Sequence, residues 1–206
     1  PMKLYESRSP NARRVNLFLA EKGVDLPRED VNIQSGENLM VEHKMRNAMG
    51  RVPVLELDSG EYLSESVAIC RYLEGLHPNP NLFGQTHEDL ATVEMWNRRA
   101  EQNYFLELTG AFRNISGFFK DRETPVAEWG EQCATRAISN LVIFDDHLGL
   151  HDYLALDRFS VADITFGVAL DFTALVRKLT DKPFPFPTNV KAYQNRLRSR
   201  STWAVQ

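Results

Sequence analysis

At His77-Pro78-Asn79-Pro80-Asn81-Leu82-Phe83-Gly84 the chain changes character. Ahead of this stretch short alternating runs take turns with helical patterns, and beyond it the sequence is helical almost throughout. An ordinary helix does not cross it, because each proline lacks a backbone donor and pushes its predecessor out of the helical region. Two bodies are therefore expected, an α/β body over 1–77 and an all-α body over 87–206, joined by a linker over 78–86. A chain of 206 residues suffices to give each its own core.

In the first body Lys3-Leu4-Tyr5-Glu6 alternates as a short strand. Ser9 is a good N-cap and Pro10 a good first helical residue, so a helix is predicted from there to Lys22, stopped by Gly23. A second strand fits Arg28 to Ile33, and a short helix fits Met40 to Arg46 in an otherwise irregular stretch. Val52 to Leu57 and Glu61 to Leu63 make a hairpin across Asp58-Ser59-Gly60, and a closing helix runs from Ser66 to Gly75. In the second body helices are predicted over His87 to Phe119, Val126 to Leu148 and Thr188 to Arg198. Trp96, Ala100, Tyr104 and Leu108 form one stripe. Ser160-Val161-Ala162-Asp163 starts a further helix as a capping box with Asp in the acidic position, and Phe159 can staple Ile164.

Composition excludes several functions. With 43% hydrophobic and 25% charged residues the chain is an ordinary soluble globular protein, and a net charge of −4 offers no basic surface for nucleic acid. Charge interrupts every apolar run before membrane-spanning length, and no leader pattern opens the sequence, which leaves the cytoplasm as the expected location. Pro1 ahead of Met2 reads as a cloning remnant, with Met2 the expected natural start. Cys70 and Cys133 stand far apart and outside any C-x-x-C pair, so neither a disulfide scaffold nor a zinc site is expected. His87, His147 and His151 lack ligand spacing, and no metal is predicted. If the protein handles thiols, the reactive sulfur has to come from its ligand.

Two neighbouring features point to a small charged ligand. Pro53 cannot donate to a sheet ladder, so it belongs at a strand's first residue or in a bend. A cis bond there presents the Val52 backbone outward, where an extended ligand can pair with it as one more strand. Glu65-Ser66 heads a helix: Ser66 and the free N–H groups suit a carboxylate, and Glu65 suits an ammonium.

These strings, Ser9-Pro10-Asn11-Ala12-Arg13-Arg14-Val15, Gly50-Arg51-Val52-Pro53, Glu65-Ser66-Val67-Ala68-Ile69 and Phe159-Ser160-Val161-Ala162-Asp163-Ile164, resemble in order and spacing those of the cytosolic glutathione S-transferases. The resemblance spans essentially the whole chain. It implies a thioredoxin-like N-terminal domain, an all-helical C-terminal domain, a homodimer, a detoxifying transferase activity and glutathione as co-substrate. It further implies that the Val52 backbone pairs with the cysteinyl unit beside a cis Pro53, that Glu65 and Ser66 hold the γ-glutamyl group, and that Arg51 faces the glycine carboxylate. For the sulfur it offers Ser9, as in serine-type classes, then Asn11, as in the bacterial nu class, then Tyr5, as in tyrosine-type classes. The electrophile's pocket would be lined by Tyr104, Phe105, Leu108 and Phe112, which fit a core role equally well. Ala48 departs from the proline usual in relatives, which predicts a looser loop at Gly50 and Arg51. The absence of cysteine from Tyr5 to Arg14 argues against the beta, omega and lambda classes.

The chemistry required is small. A glutathione thiol near pKa ~8.5 needs its pKa lowered by ~1 to 2 units, about 1.4 to 2.7 kcal/mol. One hydroxyl or amide donor, the positive end of the helix at Pro10, and Arg13 or Arg14 suffice. Conjugation to a small hydrophobic electrophile is the first reading. Glutathione-dependent disulfide reduction is its enzymatic rival, and a non-catalytic glutathione-binding regulator is the alternative of another class.

Overall fold

The computed structural model describes residues 1–206. The chain divides into one unit of Pro1–Leu82 with Thr202–Gln206 and a second of Phe83–Ser201.

The first unit is built on a sheet of order β2-β1-β3-β4, from β1 (Lys3–Glu6), β2 (Arg28–Asp30), β3 (Val54–Glu56) and β4 (Tyr62–Ser64). β1 and β2 are parallel, which demands a crossover, and α1 (Pro10–Lys22) supplies it. β3 runs antiparallel to β1 and to β4, with Tyr5 opposite Val54 and Val54 opposite Ser64. Alternation then assigns the faces. Tyr5 and Val54 share one face with Val31 and Val52, and Arg46 of α2 (Val41–Arg46) lies over the Tyr5 ring at 4.1 Å. Leu4 and Leu55, both fully buried, take the other. α1 packs on α3 (Ser66–Leu76), burying Val15, Phe18, Ile69 and Leu73. This is the expected thioredoxin-like arrangement.

Several boundaries differ from expectation, most by a single residue. β2 ends at Asp30, although the Val31 N–H still reaches Glu6 O at 2.7 Å. β3 begins at Val54, because Pro53 has no donor for a ladder. The linker is tied down at its start: Glu74 accepts from Asn81 Nδ2 and from the Leu82 N–H, each at 3.0 Å, and the buried Lys22 donates to Pro80 O and pairs with Glu74.

The last five residues return to the first unit. Arg13 Nε donates to Val205 O at 3.0 Å and its Nη2 to Trp203 O at 3.1 Å, while Asn16 Nδ2 donates to Gln206 O at 3.0 Å. Trp203 is buried beneath them.

The second unit is helical. The single helix predicted over His87 to Phe119 is α4 (His87–Ala100), one widened π turn (Glu101–Phe105) and α5 (Leu106–Ser116). The buried stripe of Trp96, Ala100, Tyr104 and Leu108 runs through the widened turn. The helix stops early because Gly117 turns left-handed. α5 lies close on α6 (Ala127–Leu148): a Cβ at Gly110 would stand 2.6 Å from Cys133 Sγ, so only glycine fits the crossing. α7 (Val161–Thr180) is buried on most of its surface and α8 (Thr188–Arg198) closes the unit. α7 starts on the predicted capping box, with Ser160 and Asp163 each accepting from the other end of the first turn.

Candidate functional site

Sheet register brings separate pieces of sequence to one place. Tyr5, Val54 and Ser64 lie in one row across β1, β3 and β4. Because β3 runs opposite to its neighbours, the chain after β1, before β3 and after β4 leaves the sheet at the same end. Those three segments carry Ser9 with Asn11, Val52 with Pro53, and Glu65 with Ser66.

At the first of them Ser9 caps α1 in extended conformation, its Oγ accepting from the Ala12 N–H at 3.2 Å. The Arg13 N–H goes to Ser9 O at 3.0 Å and Pro10 has no N–H, which leaves the Asn11 N–H as the first-turn donor without an acceptor in the chain. Capping uses a lone pair of the Ser9 oxygen, and its proton remains free to be donated. The exposed Asn11 accepts from Arg14 Nη1 at 3.3 Å, an orientation that turns its amide NH2 away from the guanidinium. Arg14 is itself buried, and Arg13 is held by the returning tail.

Tyr5 is placed differently. Its hydroxyl donates to Glu56 Oε2 at 2.7 Å, and burial together with that bond pushes its pKa above the usual tyrosine range. The proton a sulfur would need is already committed.

At the second segment the Val52-Pro53 bond is cis. The β1–β3 register stops at Tyr5 opposite Val54, and the Val52 N–H and C=O make no hydrogen bond within the chain. The preceding loop is tightly tied, against the looseness expected from Ala48. Asn38 Nδ2 donates to Gly50 O at 2.7 Å, the Gly50 N–H reaches Asn47 O at 2.8 Å, and Asn47 Nδ2 and His43 Nε2 both reach Arg51 O at 3.0 Å. Gly50 holds a left-handed φ of 60°, and a Cβ there would meet Asn38 O at 3.0 Å. The Arg51 side chain is exposed. Sequence reasoning missed His43, Asn47 and Asn38. Since α2 buries His43 alone, no periodicity marks it.

At the third segment α3 starts without a side-chain cap. The Ile69 N–H is taken by Glu65 O, so the N–H groups of Ser66, Val67 and Ala68 point from the helix start with no acceptor in the chain. With the Ser66 hydroxyl they form a cluster of donors of the kind that suits a carboxylate. Glu65 holds φ 70° and ψ 116°, sparsely populated for a residue with a side chain, and its carboxylate is exposed. Such strain, about 1 to 3 kcal/mol, is found where a ligand site requires the geometry.

This end of the sheet thus offers an unpaired strand edge, a helix start with free N–H donors and an acid beside it, and a second helix start with a spare hydroxyl proton. Residues 8–76 match the family model of the glutathione S-transferase N-terminal domain. Glutathione S-transferase 2 of Saccharomyces cerevisiae is 32% identical over 186 residues, covering 85% of this chain and 78% of that protein. The chain belongs to the glutathione S-transferase family. This transferase is also 31% identical to the maleylacetoacetate isomerase of Pseudomonas aeruginosa, over 93% of its own length and 95% of the isomerase. Its fold matches the crystal structure of a glutathione S-transferase domain-containing protein from Marinobacter aquaeolei with a TM-score of 0.91 and 30% identity, covering 98% and 99% of the two chains.

The four residues expected at the electrophile's pocket of the transferase lie inside its helical unit. Tyr104 is fully buried; Thr173 gives its proton to Ala169 O, so the Tyr104 hydroxyl donates to Thr173 Oγ1, at 2.7 Å. Leu108 is fully buried, Phe105 packs edge-on to Phe172, and Phe112 packs against Phe118, Phe119 and Phe172. Their burial is that of packing residues. No group of three or more His, Cys, Asp or Glu side chains is placed to hold a metal ion, and no helix is long and apolar enough to cross a membrane.

Proposed function

We propose that this transferase binds glutathione across the three segments and stabilises its thiolate for attack on an electrophilic carbon. The free Val52 edge pairs with the cysteinyl backbone, the α3 start takes the γ-glutamyl carboxylate, Glu65 takes the ammonium, and Arg51 faces the glycine carboxylate. Ser9 donates to the sulfur, assisted by the Asn11 N–H and the positive end of α1. The observation carrying this reading is that the unmet donors of Ser9, Asn11, Ser66, Val67 and Ala68 converge on one end of the sheet with the unpaired Val52. The sulfur belongs to the ligand, because burial pushes the Cys70 thiol up to about 12 and the Cys133 thiol up to about 11, leaving neither as a thiolate at neutral pH.

A second reading, isomerisation with glutathione returned unchanged, draws on the similarity to maleylacetoacetate isomerase over 93% of the chain. Both need the same thiolate. The disulfide-reductase reading uses it too and rests on Asn11. The expected homodimer and cytoplasmic location belong to this proposal, the dimer being checked by light scattering.

Titration with glutathione while thiolate absorbance is followed against pH tests the proposal. Half-ionisation of the bound thiol about 1 to 2 units below the free value near 8.5 is expected. Absence of binding overturns the proposal, and binding with an unshifted thiol overturns its catalytic part. Turnover of an aryl halide, a cis-enone and a hydroxyethyl disulfide then separates conjugation, isomerisation and reduction. Tyr5→Phe removes the bond to Glu56 and is expected to lower stability by about 1 kcal/mol while leaving the bound thiol's pKa unchanged. A raised thiol pKa in that variant would return Tyr5 to the sulfur.

A further inference from the structure

The role of His43 follows from the geometry of one peptide unit. Its imidazole is 1% exposed, and Nε2 stands 3.0 Å from Arg51 O. A carbonyl can only accept, so Nε2 carries the ring proton, and Nδ1 is left as a buried acceptor with no partner. Phenylalanine would fill this space without leaving an orphaned nitrogen, which makes the Nε2 bond the reason for an imidazole here. Asn47, also buried, donates its Nδ2 to the same oxygen at 3.0 Å and is itself oriented by the Met49 N–H on its Oδ1 at 3.1 Å. Two buried side chains thus saturate both lone pairs of one carbonyl.

The consequence falls on the next residue. In a planar trans peptide the C=O of one residue and the N–H of the next point in opposite directions. The Arg51–Val52 bond is trans, so drawing the Arg51 oxygen toward His43 and Asn47 aims the Val52 N–H the other way, where nothing in the chain accepts it. We propose that His43 and Asn47 are positioning residues that lock the Arg51–Val52 peptide and thereby hold the Val52 N–H ready for the backbone carbonyl of bound glutathione. Neither side chain touches the ligand. Both act through the peptide plane, and they determine affinity for the tripeptide rather than the reactivity of its sulfur. This rests on the glutathione reading above.

The test measures glutathione binding by calorimetry alongside steady-state kinetics. In His43→Phe the dissociation constant and the KM for glutathione are expected to rise about tenfold, the equivalent of one hydrogen bond, with kcat at saturating glutathione and the bound thiol's pKa unchanged. His43→Gln, whose Nε2 can reach the same carbonyl, is expected to restore binding to within about threefold, which a merely space-filling role would not produce. Asn47→Ala is expected to show the same split and decides the matter if His43→Phe does not fold. Wild-type affinity in His43→Phe, or in Asn47→Ala where that variant decides, overturns the proposal, as does a His43→Gln variant no better than His43→Phe. Failure of the unmodified protein to bind glutathione is a different result, and overturns the functional reading instead.

Discussion

Ser9→Gly is expected to raise the pKa of bound glutathione by about 1 to 2 units and to lower turnover near pH ~6.5 by about ten- to a hundredfold. Glycine is the informative replacement because it is nearly as good an N-cap as serine. The variant loses the hydroxyl donor but only a few tenths of a kcal/mol of helix stability, whereas Ser9→Ala gives up about 1 kcal/mol. The sign of the pH dependence follows from the thiol. A donor to sulfur favours the thiolate, so its removal matters most at a pH below the shifted pKa and fades near pH ~9, where the thiol ionises unaided. Asn11→Ala provides the contrast, since its amide lies in the same helical turn with its NH2 turned away from Arg14. An unshifted thiol in Ser9→Gly with a raised one in Asn11→Ala would transfer the donor's role to Asn11.

The largest effect on stability is expected from Asp163→Ala, about 3 to 5 kcal/mol. Asp163 is fully buried and accepts from Tyr193 Oη at 2.6 Å, from the Ser160 N–H at 2.9 Å and from the Leu154 N–H at 3.0 Å. Alanine would leave all three donors buried and unpaired where α7 begins, beside α8 and the loop before it. For a chain of this size the loss corresponds to a fall in melting temperature on the order of 10 °C. Burial pushes the Asp163 carboxyl up to about 6 against the pull of these bonds, while an unfolded aspartate sits near ~3.9. Between those values the folded chain binds more protons than the unfolded one. Stability from this group is therefore present in full below the lower value and is lost as pH rises through the upper. Urea midpoints from pH ~4 to ~7 should show that decline in the wild type and not in Asp163→Ala. A loss below about 1 kcal/mol would sink the assignment.

Much of this fold is written in punctuation. Ser9-Pro10 and Gly23 delimit α1, Gly60 makes the hairpin, and Ser160 with Asp163 opens α7, because caps and turns depend on residues a few positions apart. The cis bond after Val52 and the helix start at Glu65-Ser66 were legible for the same reason. What stayed hidden depends on neighbours distant in sequence. The π turn at Glu101–Phe105 has no local signature, since its residues are as compatible with an α-helix. His43 looks like one polar residue among several until the loop bearing Arg51 folds over it. That the Ser9 hydroxyl caps α1 and still keeps its proton needed the geometry as well: only with the Ala12 N–H seen to use a lone pair does the proton become available.

The return of Thr202–Gln206 to the first unit bears on how this protein can be recombined. A crossover at the linker, the natural place to exchange halves with a relative, carries the tail away with the helical half while Arg13 and Asn16 stay behind with α1. Those side chains bind main-chain oxygens, so a foreign tail is constrained in sequence chiefly at the place of Trp203, which needs a large ring, and otherwise only has to present the same oxygens in the same register. Chimeras of this chain are thus constrained less by the identity of the tail residues than by the spacing between α8 and the tail.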